Sequence, residues 1–598
     1  MADFIVKVGG EGGTDSPTTA GEFLAQSAIR EGNAIFTLRT LPAEIRGGLA
    51  TYQIRVSDQA VPSQGDGPDV LFAMNQEAYD GLFDELTPDG VLVYDSDSVG
   101  LDRVRDDRHI YYPVPMQSLA EKEVGERRTK NMVLLGVFGE LFGMPLDTLK
   151  ACVQDKYGKR GAELVGLNHK AIDTGATYAR EHLTKVDPHR FEPRRDAAQP
   201  LMIIDGSQAI GMGALVAGVE VFAGYPITPA SEVMQFLAEH LPRFGGSVIQ
   251  VEDEIASLGV CLGASFAGAK TMTATSGPGL SLMVEMLGLA AMAELPVVVV
   301  DAQRGGPSTG LPTKCENGDL ALAAYGAHGD APRIVLAPAN MEDCLHDTIA
   351  AFNLAERYQT PVLVLSDQSM AMRAQAVPAP DLSRVERAER LLLAPGEQPA
   401  DYRRYPVTEN GVAPIALPGR GHHAYHTITG LSHDEHGNPS TNNGPLAAAM
   451  MDKRQRKIDA ARHEPGWSRL HGPAQGTLGI ISWGSCEGAV NEAVDRLLAE
   501  GHAVRQLHLR MVYPLPVEEI AAFAATVDKL AVCELNHSGQ LNRMVRAETE
   551  LRTVLVRKYD GVPFTPADVV AALRPELPPL PPKPRAKARA AEPAVVEV

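Results

Sequence analysis

Apolar positions along the chain fall into short strand-like runs separated by segments of helical period, most clearly between residues 200 and 366. VEVFAG (219–224) precedes TPASEVMQFLAEHL, and SVIQV (247–251) leads into EDEIASLGVCLGASFAG. TMTAT (271–275) leads into SGPGLSLMVEMLGLAAMAE, and PVVVV (296–300) into DAQRGGPSTG. Short apolar runs each followed by a helical pattern predict βα units and a parallel sheet covered on both faces. Ligands of such sheets collect outside the carboxyl ends of the strands. Four polar signatures stand at those ends: Tyr225-Pro226-Ile227-Thr228, Glu252-Asp253-Glu254, Ser276-Gly277-Pro278-Gly279 and Gln303-Arg304-Gly305-Gly306. Their convergence on one rim predicts a site.

Two further blocks flank this one. Residues 1–183 open with the strand FIVKVGG and a glycine-rich turn, Gly9-Gly10-Glu11-Gly12-Gly13, before a helical pattern from Ala20 to Arg30. Free N–H groups at such a turn suit an anion, and a tight turn before a packed helix accounts for the glycines equally well. Near the other end, GTLGIISWGS, AVRQLHLRM and DKLAVCEL read as strands between helices, a second α/β domain over 476–573. Residues 184–200 are polar and proline-bearing, which predicts a linker, and 367–475 reads as an irregular, His- and Gly-rich connection. The Pro- and Ala-rich 574–598 reads as a disordered tail. The expectation is an α/β chain of three domains: 1–183, 201–366 and 476–573.

Composition narrows the class. The 598 residues hold 55 Lys and Arg against 75 Asp and Glu, a net charge of −20. Such a balance argues against nucleic acid or an anionic membrane as partner. The most apolar stretch, Leu280 to Val300, contains Glu285, Glu294 and Pro296, so it reads as buried helix then strand and not as a membrane span. The opening MADFIVKVGG has no charged segment followed by a long apolar one, which points to a cytoplasmic enzyme or enzyme subunit. Six cysteines (152, 261, 315, 344, 486, 533) lie far apart with no CxxC pair. That excludes a disulfide scaffold and an iron–sulfur cluster on local ligands, and leaves them as small buried hydrophobes.

Individual residues carry chemistry. Thr228 before Pro229 reads as a helix N-cap with Pro at the first position. Glu252 and Asp253 read as acids favoured by a helix N-terminus. Arg304 at a strand end would clamp a carboxylate bidentately, with an interdomain salt bridge as the plainer role. His422, His423, His426, His433 and His436 crowd together, but no Cys or carboxylate framework surrounds them. A hydrogen-bonded interface loop is the expectation there, and no metal is assigned.

Several motifs together resemble the alpha subunit of 2-oxoacid:ferredoxin oxidoreductases, closest to the branch using 2-oxoglutarate. They are GYPITPASEVM (224–234), VEDEIASLGVCLGASFAGAK (251–270), TATSGPGLSLMVEMLG (273–288) and QRGGPSTGLPTKCENGDL (303–320). GGEGG, AEIRGGLATYQIRVS (43–57) and NMVLLG (131–136) resemble the gamma-type domain fused ahead of alpha. SWGSCEGAVNEA (482–493) and CELNHSGQLNR (533–543) resemble the transketolase-C-like domain. The chain departs from the pattern after GGEGG, where Thr14-Asp-Ser-Pro-Thr replaces a short Gly-Val step.

The resemblance implies thiamine diphosphate, coenzyme A as co-substrate, and oxidative decarboxylation of a 2-oxoacid, or its reverse, with ferredoxin as electron partner. It makes 201–366 the pyrimidine-binding domain. Glu254 matches the catalytic acid that hydrogen-bonds the aminopyrimidine. Tyr225, Pro226, Ile227, Thr228, Ser276 and Gly277 fall at matching cofactor positions, and Thr228, Arg304 and Thr313 at substrate positions. The metal–diphosphate motif, Gly-Asp-Gly with a later Asn, is missing: Gly65-Asp66-Gly67 runs straight into Pro68, and residues 90–97 hold no Asn. The expected partner is therefore a beta subunit bringing Mg²⁺ and a [4Fe–4S] cluster, in a dimer of alpha–beta heterodimers. A related 2-oxoacid such as pyruvate is the alternative substrate, and a non-catalytic nucleotide- or CoA-binding scaffold the remote alternative.

Overall fold

The computed structural model describes residues 3–13, 17–42, 47–101, 108–194, 201–394, 397, 399–420 and 424–579. Thr14–Ser16, Ala43–Arg46, His422, His423 and residues 580–598, part of the expected tail, lie outside them.

Three sheets carry the chain. The middle one has seven strands in the order Met511–Tyr513, Ile334–Leu336, Pro361–Asp367, Val297–Gln303, Thr271–Thr275, Val221–Gly224, Ser247–Gln250. All pair in parallel except Met511–Tyr513. The continuous burial of Val297–Gln303 explains the apolar run Val297–Val300, because helices cover both faces of a parallel sheet. The C-terminal sheet has five strands, with Gly476–Trp483 at its centre between Val504–Leu509 and Val527–Glu534.

The N-terminal sheet has eight strands, and two come from far along the chain. Leu201–Asp205 and Ala374–Pro378 pair antiparallel, and the latter joins Ala34–Thr40. A similar exchange ties the other two sheets, since Met511–Tyr513 leaves the C-terminal block to pair with Ile334–Leu336. Sheets built from distant segments hold the three blocks in fixed relation.

Glycine-rich motifs do packing work here. Gly9 and Gly10 are not in a turn, because the first strand runs Asp3–Glu11 and stays in register with Leu49–Ser57 to its end. A Cβ on Gly9 would meet Leu82 Cδ1 at 2.3 Å. In NMVLLG, a Cβ on Gly136 would lie 2.0 Å from the Ile172 carbonyl oxygen, and one on Gly175 2.1 Å from that of Val133. The helices Lys130–Phe142 and Ala162–His182 thus touch backbone to backbone. Asp66 of the Gly-Asp-Gly triplet pairs with Arg496 and accepts the N–H of Ala567, so it clasps the N-terminal block to the C-terminal one. Its role is structural.

The connecting segments are more ordered than their composition suggests. Phe191 and Asp187 of the expected linker are buried, and the Phe191 N–H donates to Phe142. Within 367–475 stands the helix Gly444–Arg462. Its Lys453 and Lys457 are fully buried and each donate to Glu294 at 2.7 Å. The packed chain reaches beyond 574: Arg574–Glu576 form a helical turn, Glu576 pairs with Lys529, and Leu577 packs on the C-terminal core. All six cysteines are buried and free. No helix among the described residues is long and apolar enough to cross a membrane.

Candidate active site

The four polar corners do meet at the carboxyl rim of the middle sheet. Between the helix Gly277–Ala293 and the loop after Val297–Gln303 lies a cleft of about 540 Å³. Gly277, Ser281, Arg304, Gly305, Glu316 and Asp319 line it.

Glu254 opens the helix Glu254–Phe266 and is buried to 6 % exposure. Asp253 is the N-cap, its side chain accepting the Ala256 N–H at 2.7 Å, while Glu252 is exposed. Those two residues thus have the plain N-terminal role, and Glu254 alone turns inward. Its carboxyl lies against the first turn of Gly277–Ala293, where a Cβ on Gly279 would stand 2.6 Å from Glu254 Oε1. Only glycine at 279 leaves room for this acid. Leu258 and Leu262 anchor the helix in the core, whereas Ile255, the residue after Glu254, is 46 % exposed.

Thr228 is not a helix cap. The N–H groups of Ala230 and Ser231 both donate to the Ile227 carbonyl, closing a turn, and the helix begins only at Ser231. What Thr228 presents is its backbone: Arg304 Nη1 donates to its carbonyl at 2.6 Å. Arg304 is 8 % exposed, and its Nε has no partner among the described residues. Burial lowers its pKa against the opposing pull of Asp319 and Asp301. Its charge neighbours lie within its own domain, which sets aside the interdomain salt bridge.

Ser276 is fully buried with an unpartnered hydroxyl, beside Gly277 on the cleft wall. Ile227 packs against the domain core, whereas Tyr225 (40 % exposed) and Pro226 face outward. Thr313 sits half-buried in the turn Leu311–Lys314, closed by the Lys314 N–H to Leu311, and does not line the cleft.

Apart from Gln303, which stands in one of the four polar signatures, sequence reasoning passed over several members of this rim. Asp301 lies inside the apolar run VVVVDAQ and is fully buried. Gln303 donates to the Ser366 carbonyl and accepts the Asp319 N–H, fixing the loop that carries Arg304. Asn317 donates to Asp367 at 2.9 Å, and Asn536 to the Asn317 carbonyl at 3.1 Å, so the C-terminal domain braces the same loop. The one available signal was an Asp or Gln interrupting a buried strand near its carboxyl end.

The described histidines of the His-rich loop make hydrogen bonds and ring contacts. His433 bonds the Asp434 and Met292 carbonyls, and His436 bonds Asp401. His426 stands edge-on to Phe266, Tyr402 and Tyr405, and burial pushes its pKa down to about 4.

Comparison with known proteins covers nearly the whole chain. Residues 212–453 match the model of the pyruvate flavodoxin/ferredoxin oxidoreductase thiamine-diphosphate-binding domain. Residues 5–178 match the pyruvate ferredoxin/flavodoxin oxidoreductase domain, and 477–569 core domain II of pyruvate:ferredoxin oxidoreductase. The chain is 32 % identical to the 2-oxoglutarate oxidoreductase subunit KorA of Mycobacterium tuberculosis, over 96 % of this chain and 92 % of that one. It is 30 % identical to subunit alpha of 2-oxoacid:ferredoxin oxidoreductase 2 of Aeropyrum pernix, over 96 % and 98 %. A solved 2-oxoglutarate:ferredoxin oxidoreductase from Magnetococcus marinus, with 2-oxoglutarate, coenzyme A and succinyl-CoA bound, superposes with a TM-score of 0.92. That chain is 42 % identical, covering 96 % of this chain and 100 % of its own. With the fold, the rim and these likenesses in agreement, the chain belongs to the 2-oxoacid:ferredoxin oxidoreductase family, with its alpha subunits.

Proposed function

We propose that this chain is the alpha subunit of a 2-oxoglutarate:ferredoxin oxidoreductase. Such an enzyme joins decarboxylation of 2-oxoglutarate to coenzyme A, giving succinyl-CoA, CO₂ and reduced ferredoxin, or runs the reverse carboxylation. The observation that carries the reading is the meeting of a buried acid, Glu254, and a buried cation, Arg304, at one rim of a domain that matches a thiamine-diphosphate-binding model. The whole-length likeness to the Magnetococcus marinus enzyme supports 2-oxoglutarate as the acid.

The residues fit the aminopyrimidine half of thiamine diphosphate. Gly279 leaves the space that Glu254 occupies, and Glu254 carries the carboxyl a ring nitrogen requires. Thiamine diphosphate bound there would supply a nucleophilic carbon and an electron sink for decarboxylation of the 2-oxoacid. Glu254 is proposed to hold a proton against the ring nitrogen, a general acid–base role on a rigid helix terminus. Ser276 and Gly277, with the 225–228 segment, are proposed to border the ring. Arg304, steadied through Nη1 by the Thr228 carbonyl, offers its remaining donors to a substrate carboxylate. Thr313, on the same loop, is proposed to approach the substrate.

Subunit-named relatives support a multi-subunit assembly. A beta subunit holding Mg²⁺ and a [4Fe–4S] cluster, a ferredoxin acceptor, an α₂β₂ arrangement and a cytoplasmic setting complete the proposal. The test is reconstitution with the beta subunit, followed by ferredoxin reduction with coenzyme A and either 2-oxoglutarate or pyruvate. Faster turnover with pyruvate would replace the substrate, and no turnover with any 2-oxoacid would end the reading.

A further inference from the structure

Behind Arg304 the rim holds two acids for which the reading above finds no task. Asp301, near the carboxyl end of Val297–Gln303, is wholly buried, and neither of its side-chain oxygens meets an N–H or O–H donor among the described residues. Its carboxyl is in hydrogen-bonding contact with that of Asp319, whose Oδ2 also lacks a donor. Asp319 is held in place from two sides. Its N–H donates to Gln303 Oε1 at 3.1 Å, and a Cβ on Gly277 would stand 2.7 Å from its Oδ2. Two buried carboxyls in contact cannot both ionise, since mutual repulsion and lost hydration oppose it. A proton between them supplies the donor that both lack.

We propose that Asp301 and Asp319 share one proton and act as a positioning pair for Arg304, taking up a second proton when an anionic oxoacid docks on the guanidinium. This rests on the reading that Arg304 holds the substrate carboxylate. At neutral pH the pair carries one negative charge, which balances the cation beside it. An arriving carboxylate competes for that cation. Protonation of the remaining carboxylate from solvent forms one O–H bond, neutralises the pair and leaves the whole guanidinium charge to the substrate. Burial pushes Asp319 up to about 6, and burial with the nearby Asp319 raises Asp301 well above the ordinary carboxylate range. Other charged groups face the pair. Glu316 lies on the same loop with His537 opposite it, Glu254 stands across the first turn of Gly277–Ala293, and Asp367 lies beyond Asn317. The pair therefore titrates against a mostly acidic surround, which favours proton uptake.

The test uses the assembled complex. The KM for 2-oxoglutarate and the Ki of glutarate, an unreactive dicarboxylate, are followed between about pH 5.5 and 8. Both should rise with pH above the titration of the pair, toward tenfold per pH unit, the limit for one proton. The double variant Asp301→Asn/Asp319→Asn should be flat over that range. A flat wild-type profile, or an unchanged slope in the double variant, overturns the proposal. Infrared spectroscopy gives a second readout that does not depend on the double variant folding. Wild-type complex at about pH 8 should show a protonated carboxylic acid band that Asp301→Asn removes. A missing band, or one that persists in the variant, also overturns it. If Arg304→Ala leaves KM unchanged, the substrate role of Arg304 fails and the coupling fails with it, and the band still decides the shared proton.

Discussion

Two buried charge clusters in the same domain are arranged in opposite ways. Around Glu294, every charge is met. Lys453 and Lys457 each donate to its carboxylate, Lys457 also bonds the Gln359 carbonyl, and Arg404 bonds the Glu294 and Gln359 oxygens. Burial would raise the Glu294 carboxyl, but the two lysines and Arg404 hold it well below the usual carboxylate range. Around Arg304, by contrast, Arg304 Nε and the Ser276 hydroxyl have no partner among the described residues, and Asp301 and Asp319 meet only each other. Orphaned buried groups cost about 1–3 kcal/mol each, so they persist where something else satisfies them. The first cluster pins a connecting helix to the domain, and the second awaits a ligand. Burial alone does not separate these two clusters, but completeness of pairing does.

If that contrast is right, substitutions at the two clusters should fail differently. The largest effect on turnover belongs to the rim: Glu254→Gln in the assembled complex should lower kcat by roughly 10²–10⁴, the scale of a lost acid–base group. The chain should still fold and join its partner, as read by co-elution and cofactor binding. Equal losses in Glu254→Gln and Glu252→Gln would remove Glu254 from the chemistry.

Next comes stability, and it belongs to the paired cluster. Glu294→Gln leaves two buried lysines without a counter-charge and should cost about 3–5 kcal/mol in denaturant unfolding, with kcat of the folded fraction kept. The gap should depend on pH with a definite sign. A carboxyl depressed in the folded state contributes its full stability above its unfolded value of about 4.3 and loses it as pH falls toward the folded value. The wild-type advantage over Glu294→Gln should therefore narrow below about pH 4 and hold steady above it. A gap that widens in acid would contradict the pairing.

Arg304→Ala should act on substrate instead of stability, raising KM by an amount equivalent to about 1.5–3 kcal/mol with kcat less affected. The smallest effect is Asp253→Ala, which removes an N-cap worth about 0.5–2 kcal/mol in melting experiments. A larger loss would mean that Asp253 does more than start the helix.

The sequence was most readable where burial is complete. Val297–Gln303 and Thr271–Thr275 announce themselves because strands covered on both faces are rich in apolar and β-branched residues, as Val297–Val300 and the threonines of TMTAT are. The strand end that carries Arg304 was therefore placed. Less legible were segments whose partners lie hundreds of residues away. Ala374–Pro378 and Met511–Tyr513 are short, and neither pairs with a neighbour in sequence. Nothing near Lys453 and Lys457 in the chain foretells their pairing with Glu294. Asp301 and Asp319 come together only because the loop between them folds back, a contact no periodicity encodes. The reading of Thr228 as a cap failed for a local reason: the turn at Ile227 uses the N–H groups that a cap would have taken.

The borrowed strands also set a clock on the ribosome. The N-terminal sheet cannot gain its last two strands until residue 378 has emerged, and the middle sheet cannot gain Met511–Tyr513 until the chain reaches 513. From the end of Pro361–Asp367 that is roughly 150 residues, on the order of 10 s of synthesis, during which the edge at Ile334–Leu336 is bare. An open edge of a hydrophobic parallel sheet is a template for pairing with other chains. Newborn chains of this protein should therefore be most prone to aggregation late in translation, after most of their residues have already found their places.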